Sequence, residues 1–197
     1  MKKLCAFMIL ALASLAASAE KADASKQAIL DANEVVADNV KQTMIMSGNV
    51  IITKGTLLLK AEKALLKETP DEYMEVTLNA GAGKMATFRQ KRDGGPDLWI
   101  EGEAQRIEYD ERTSKVKLFG AAKIRQLEGG RMTNDIQGEY ISYDSMREVF
   151  DARNDAGGTN KAGGGRVRMI LAPKKPRPGA SDAATPPAPA TTPPGTP

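Results

Sequence analysis

Closely spaced carboxylates are the side chains of this sequence most able to support catalysis. Two carboxyl groups on either side of a glycosidic bond can serve as acid and as base or nucleophile, so a glycan-cleaving enzyme is one hypothesis. The candidate pairs are Asp71 with Glu72, Asp93 with Asp97, and Glu101 with Glu103. The first two pairs lie among turn-forming residues, and the residues of the third alternate along one strand face. Both settings favour the interpretation that these carboxylates are solvated surface charges.

Other catalytic chemistries lack the residues they need. The chain has no histidine, and its single cysteine, Cys5, lies close to the N-terminus. The commonest general base and metal ligand are therefore missing, and Cys5 lies in the segment that we predict to be removed, so we expect no thiol mechanism in the mature protein. Nucleophile-elbow and phosphate-binding glycine motifs are absent too. We therefore expect a protein that is not an enzyme, with no catalytic residue, no metal site and no cofactor.

The N-terminus has the pattern of a secretory signal. Lys2 and Lys3 precede an apolar run over residues 4–15, and small residues follow at Ala17 and Ala19. This order predicts a cleavable signal peptide over residues 1–19, a mature start near Glu20 and export to the periplasm. The run is shorter than the roughly 20 residues that span a bilayer, which disfavours an uncleaved anchor.

The opposite end differs in composition from the rest of the chain. Residues 173–197 contain many prolines and alanines and no large apolar side chain. Such a segment buries too little surface to offset its ordering entropy, so we predict a disordered tail. One folded domain is expected over residues 25–172.

Within that span, apolar residues alternate with a period of two. This alternation indicates strands with one buried face, bounded by glycine-containing turns. Residues 57–66 have helical propensity, but we assign them to a strand because their neighbours form a repeat of strands. The two clearest buried faces are Met44, Met46, Val50 and Ile52, and Val116, Leu118, Ala122 and Ile124.

The chain contains a degenerate internal repeat. A shift of 72 residues aligns segment 31–38 with segment 103–110 and Gly48 with Gly120, and residues 141–144 begin a partial third copy. Each unit is a strand, a turn that begins at aspartate, and a second strand. We interpret Asp38, Asp110 and Asp144 as turn residues that accept backbone hydrogen bonds. Recurrent hairpins predict an all-β jelly roll or sandwich of two facing antiparallel sheets.

Several segments resemble the LptA/OstA family of lipopolysaccharide-transport proteins. Residues 47–55 and 57–64 are similar to its glycine-asparagine-valine and alanine-acid-alanine motifs, and segments 84–90, 100–102, 107–110 and 136–143 follow in the same order. The resemblance implies an open β-jelly roll that binds lipopolysaccharide through its lipid A portion. It further implies a bridge from the inner to the outer membrane, with an LptC-like inner-membrane partner and an LptD-like outer-membrane partner.

Acyl chains need an apolar trough, which we assign to the inward-facing side chains. Phe88 and Tyr109 are the strongest individual candidates, because each is a large aromatic residue within a family-like motif. The predicted lipid-binding residues are Leu30, Met44, Met46, Val50, Ile52, Leu57, Leu59, Phe88, Ile107, Tyr109, Val116, Leu118 and Ile124.

The ends of such a fold expose strand edges. We predict that the last strand, over residues 166–171, pairs with the first strand of a neighbour, over about residues 27–32, to give head-to-tail homo-oligomers. Alternatives are a membrane-anchored LptC-like partner of the same export system, a periplasmic glycan-acting enzyme, and a structural β-scaffold without a ligand.

Overall fold

The computed structural model describes residues 22–173. The predicted signal peptide at 1–19 and all but the first residue of the predicted tail lie outside this range. The regular structure of the described residues consists of strands joined by turns and loops, apart from a helical turn at residues 22–23. Among them, no helix has the length and hydropathy needed to cross a membrane.

Twelve strands are present in residues 22–173. They are β1 (Ala28–Asp31), β2 (Glu34–Asp38), β3 (Thr43–Lys54), β4 (Leu57–Glu68), β5 (Met74–Asn79), β6 (Ala86–Lys91), β7 (Leu98–Ala104), β8 (Arg106–Asp110), β9 (Lys115–Glu128), β10 (Arg131–Asp144), β11 (Val149–Arg153) and β12 (Arg168–Leu171). Residues 57–66 belong to β4, which confirms the strand assignment.

The strands form a meander of eight bent units, which we call rungs. Four rungs are the long strands β3, β4, β9 and β10, and the other four are consecutive pairs of short strands. The rungs follow the chain as β1/β2, β3, β4, β5/β6, β7/β8, β9, β10 and β11/β12, each antiparallel to the next.

Each rung contributes to two facing sheets. Sheet I has the order β2, β3, β4, β5, β8, β9, β10, β11, and uses the first half of β3 and β9 and the second half of β4 and β10. Sheet II has the order β1, β3, β4, β6, β7, β9, β10, β12, and uses the other halves. We call the side where the rungs bend the corner, and the opposite side, where the outer turns of the two sheets lie, the seam.

The corner repeats the 72-residue spacing of the sequence. Asn33 N donates to the Gly48 carbonyl at 2.9 Å, and Gln105 N donates to the Gly120 carbonyl at 3.0 Å. Both glycines have positive φ, 79° and 74°, at the point where the long strand turns from sheet I into sheet II. The internal repeat therefore corresponds to a repeated three-dimensional bend.

Three turns of sheet I share one design. Asp38 Oδ1 accepts from Lys41 N at 3.0 Å, and the carboxylates of Asp110 and Asp144 accept from the third N–H that follows them, each at 3.1 Å. The residue after that N–H has positive φ in all three turns. The predicted role of these aspartates as turn residues is confirmed, and in each turn the donor N–H lies three residues after the aspartate. Asp38 also accepts from Val40 N, two residues after it.

The inner faces of the two sheets share one core. Alternate residues of β3 and β9 are buried as the periodicity predicted. The apolar cluster extends from Leu30 in the first rung to Phe150 in the last. A continuous apolar interior therefore runs the length of the stack.

Candidate functional site

The predicted lipid-binding residues lie together in this interior. All but two are buried, and Leu30 and Met44 are half-buried against the same cluster. Met46, Ile107 and Leu118 are in the sheet I part of their rungs, whereas Ile52, Leu59 and Phe88 are in sheet II. The structure thus brings the predicted set together on two facing surfaces, and their contact with lipid stays a prediction.

The two facing surfaces are packed against each other. Ile52, Leu59, Ile107 and Leu118 have no solvent exposure, and Phe88 is 2% exposed. Protein interiors at this degree of burial contain few voids. An acyl chain can therefore occupy the interior only when the two sheets move apart.

A cavity of about 560 Å³ lies at the seam. Gln90 and Gly94 line it from sheet II, and Tyr109 and Val116 line it from sheet I. Tyr109 and Val116 are also members of the buried core. The cavity therefore connects the protein surface to the apolar interior.

An ion pair joins the two sheets on one side of this cavity. Lys54, at the end of β3 in sheet II, pairs with Glu111, which follows β8 in sheet I. The side chains are 12% and 6% exposed, so the pair is largely shielded from water. The second oxygen of Glu111, Oε2, accepts from Met74 N at 3.0 Å, which holds the carboxylate in place.

A second ion pair joins the sheets at the next outer turn of sheet II. Arg92, which follows β6, contacts the Glu148 carboxylate at 2.6 Å. Burial lowers the pKa of Arg92, but its hydrogen bond to Glu148 and the negative charge there outweigh burial and raise it. The Tyr143 hydroxyl in sheet I adds a smaller contribution in the same direction. Arg92 is therefore held as a cation between the two sheets.

The N-terminal segment closes part of the seam. Asp23 is 4% exposed and accepts from Thr56 N at 2.7 Å, from Thr56 Oγ1 at 2.6 Å and from Gln90 Nε2 at 3.0 Å. Ala24, the next residue, lines the seam cavity. The sequence carried no pattern that would single out Asp23, Lys54, Arg92 or Glu111, because their partners are distant in the chain.

The candidate carboxylate pairs have ordinary surface contacts. Glu101 and Glu103 point outward from β7, as the alternation predicted. Glu101 forms an ion pair with Arg89 at 2.8 Å, and Glu103 forms one with Lys123 at 4.0 Å. Of the carboxylates in turns, Asp71 pairs with Arg112 at 2.9 Å, and Asp97 accepts a hydrogen bond from the Trp99 indole N–H at 2.9 Å. Within residues 22–173, no cluster of three acidic residues is arranged to hold a metal ion.

The two ends of the stack expose apolar strand edges. β1 and β12 are slightly shorter than the predicted 27–32 and 166–171, and each lies on an end rung. Ile29 and Val36 are exposed on the first rung, and Met169 and Leu171 on the last. Within residues 22–173, β1 pairs only with β3 and β12 only with β10, so each has one edge without a strand partner in the described part of the chain.

Comparison with known proteins identifies the family. The family model described as LptA/(LptD N-terminal domain) LPS transport protein matches residues 30–149, which is more than half of the chain. The chain belongs to this family. The match includes Lys54, Arg92, Glu111 and Glu148 and all the predicted lipid-binding residues, whereas Asp23 and β12 lie outside it.

Curated relatives agree with this membership. The lipopolysaccharide export system protein LptA of Haemophilus influenzae is 26% identical over 178 residues, covering 88% of this chain and 95% of the relative. The LptA of Escherichia coli K12 is 28% identical, with coverages of 83% and 80%. LptH of Pseudomonas aeruginosa is also 28% identical, with coverages of 84% and 90%.

A solved structure supports the fold. The crystal structure of LptH, described as the LptA-homologous periplasmic component of the lipopolysaccharide transport device of Pseudomonas aeruginosa, superposes with a TM-score of 0.65. The alignment covers 77% of this chain and 99% of that chain at 24% identity. The predicted all-β, OstA-like jelly roll is confirmed.

Proposed function

We propose that this family member binds lipopolysaccharide in the periplasm and carries it along a bridge from the inner to the outer membrane. The observation that carries the proposal is the apolar interior that runs through all eight rungs. Rungs about 4.8 Å apart stack to a length on the order of 34 Å, enough to cover an acyl chain. Burial of each CH₂ group contributes about 0.8 kcal/mol, so an apolar channel can hold an otherwise insoluble lipid.

The proposed bridge uses the two end rungs. Pairing of β12 with β1 of a second chain satisfies the backbone groups of both edges by β-augmentation. The contact joins two different surfaces, so it extends into a filament or into a mixed chain with partners of the same fold. We propose an LptC-like partner at the inner membrane and an LptD-like partner at the outer membrane.

Export is part of the proposal. We propose that the predicted signal peptide directs the chain to the periplasm and is then removed. Sequencing of the mature N-terminus tests this point, with a start near Glu20 expected. A mature protein that retains residues 1–19 would favour the membrane-anchored, LptC-like alternative.

Site-specific photocrosslinking in cells tests lipid binding. We expect a photoreactive residue at Phe88, Tyr109 or Leu118 to capture lipopolysaccharide, because these side chains face the interior. The matched controls are Ile45 and Leu65, which are exposed on neighbouring strands of sheet I. Capture at the controls alone, or no capture at several interior positions, contradicts the proposal.

A further inference from the structure

Two ion pairs join the two sheets at the seam, and they are arranged alike. Lys54 ends the second rung and Glu111 follows the fifth, whereas Arg92 follows the fourth rung and Glu148 precedes the eighth. Each pair therefore joins an outer turn of sheet II to an outer turn of sheet I three rungs further along. We call Lys54–Glu111 and Arg92–Glu148 the latch pairs.

The seam cavity includes residues of both latch pairs. Glu111 and Glu148 line it, and so do Tyr73 and Met146, whose apolar surfaces are exposed to solvent. On its inner side the same cavity reaches Tyr109 and Val116 of the core. It therefore links solvent to the interior, and its lining combines the apolar surfaces of Tyr73, Tyr109, Val116 and Met146 with polar groups that include Glu111 and Glu148.

The corner opposite the seam interrupts the regular pairing of the long strands. Gly48 with Asn49, and Gly120 with Ala121, are consecutive residues of positive φ where β3 and β9 pass between the sheets. The pairing of β3 with β4 and of β9 with β10 shifts register near these positions. The two sheets are therefore joined at the corner by backbone that is already outside the regular ladder, which is where a change in the angle between the sheets would fall.

We propose that the seam cavity is a lateral port through which acyl chains enter the interior, and that the latch pairs are the contacts that break when it opens. This inference rests on the proposed function, since it names the route to the same interior. A laterally open seam lets the polar part of the lipid stay in water while its chains enter. Opening separates Lys54 from Glu111 and Arg92 from Glu148.

A reversible lock tests the port. The variant carries Lys54→Cys and Glu111→Cys, together with Cys5→Ser so that no other thiol reacts. A short bifunctional thiosulfonate reagent joins the two new cysteine side chains through disulfides that can later be reduced. We expect the joined protein to bind purified lipopolysaccharide at least about tenfold more weakly than the same protein after reduction. The matched control is Arg89→Cys with Glu101→Cys, a cross-strand pair within sheet II. Joining this control pair leaves lipopolysaccharide binding unchanged.

Weakening the latch pairs tests the same proposal in the opposite direction. Glu111→Gln removes the charge and keeps an oxygen for Met74 N, and Glu148→Gln alters a more exposed partner. We expect each substitution to raise the association rate of lipopolysaccharide by about threefold or more, because the open state becomes more populated. Glu101→Gln, which breaks an ion pair within sheet II, leaves this rate unchanged. Thermal unfolding checks that each variant is folded. If Glu111→Gln does not fold, the association rate of Glu148→Gln and the separate crosslinking experiment decide the result.

The outcomes separate the port from the proposed function. Equal binding by the locked and reduced proteins, or unchanged association rates in the folded glutamine variants, overturns the port while lipid binding stands. Absence of lipopolysaccharide binding by the unmodified protein overturns the proposed function, and the port with it.

Discussion

Phe88 packs over Gly102, its direct partner across β6 and β7. A Cβ atom on Gly102 would lie 2.7 Å from Cδ1 of Phe88 and 2.9 Å from Cδ2 of Leu118. The missing side chain thus creates the space that the aromatic ring occupies. Gly102 determines where one of the two principal lipid-binding candidates lies.

Gly102→Ala should destabilise the fold by about 1–3 kcal/mol, because the added methyl group overpacks the core. The thermal midpoint should fall by several degrees. Gly165→Ala is the control, since its added Cβ meets no atom within 4 Å and its φ is not in the left-handed region. Equal midpoints for the two variants would contradict this account of Gly102.

Two adjacent residues of the corner, Gly120 and Ala121, should respond to substitution with opposite changes in the free energy of unfolding. Gly120→Ala should destabilise by about 1–3 kcal/mol, because its φ is 74° and the new Cβ would lie 2.9 Å from Cδ of Gln105. Ala121→Gly should stabilise by roughly 0.5–1 kcal/mol, since Ala121 has a φ of 47° that alanine adopts at a cost. Urea unfolding of both variants measures the difference. A loss of stability in Ala121→Gly would contradict it.

Asp23 ties the N-terminal segment to sheet II. Asp23→Ala should cost about 1–3 kcal/mol, because Thr56 N–H and the Gln90 amide lose a buried acceptor. Asp31→Ala on β1 is the control, as this side chain is exposed. Chemical unfolding of the two variants measures the cost. We also expect faster hydrogen exchange at Thr56 N–H in Asp23→Ala, and an unchanged rate there would count against the contact.

Asp38 makes stability depend on acid pH. The Lys41 N–H, followed by the Lys41 ammonium group, lowers the pKa of this carboxyl below its ordinary value of 3.8. The folded-state pKa is therefore below the unfolded one, so the stabilisation is present above about pH 4 and is lost as pH falls through the folded pKa. Wild type should exceed Asp38→Asn in stability at pH 7, and the gap should close in stronger acid. NMR titration showing an ordinary Asp38 pKa would contradict this.

The last strand should control assembly. Met169→Lys places a charge on the exposed apolar face of β12 and should shorten oligomers while the monomer stays folded. Met85→Lys adds the same charge in the loop between β5 and β6, in the middle of the stack, and should leave oligomer length unchanged. Sedimentation of both variants at several concentrations tests this. Oligomers of equal length in the two variants would exclude the β12 edge from the contact.

The sequence determined the local features of this protein. Strand alternation placed Met46, Val50, Leu118 and Ile124 on the inner face, and the 72-residue shift revealed Gly48 and Gly120 as equivalent positions. These features follow from neighbouring residues, since a strand has a period of two and a turn needs particular backbone angles.

The tertiary structure decided how the two sheets meet. Lys54 and Glu111, or Asp23 and Gln90, are far apart in the chain, and only the bending and stacking of the rungs brings them together at the seam. Their burial depends on which turns of one sheet lie against those of the other. No local pattern records this, because the interaction of such groups depends on distance in space and on exclusion of water.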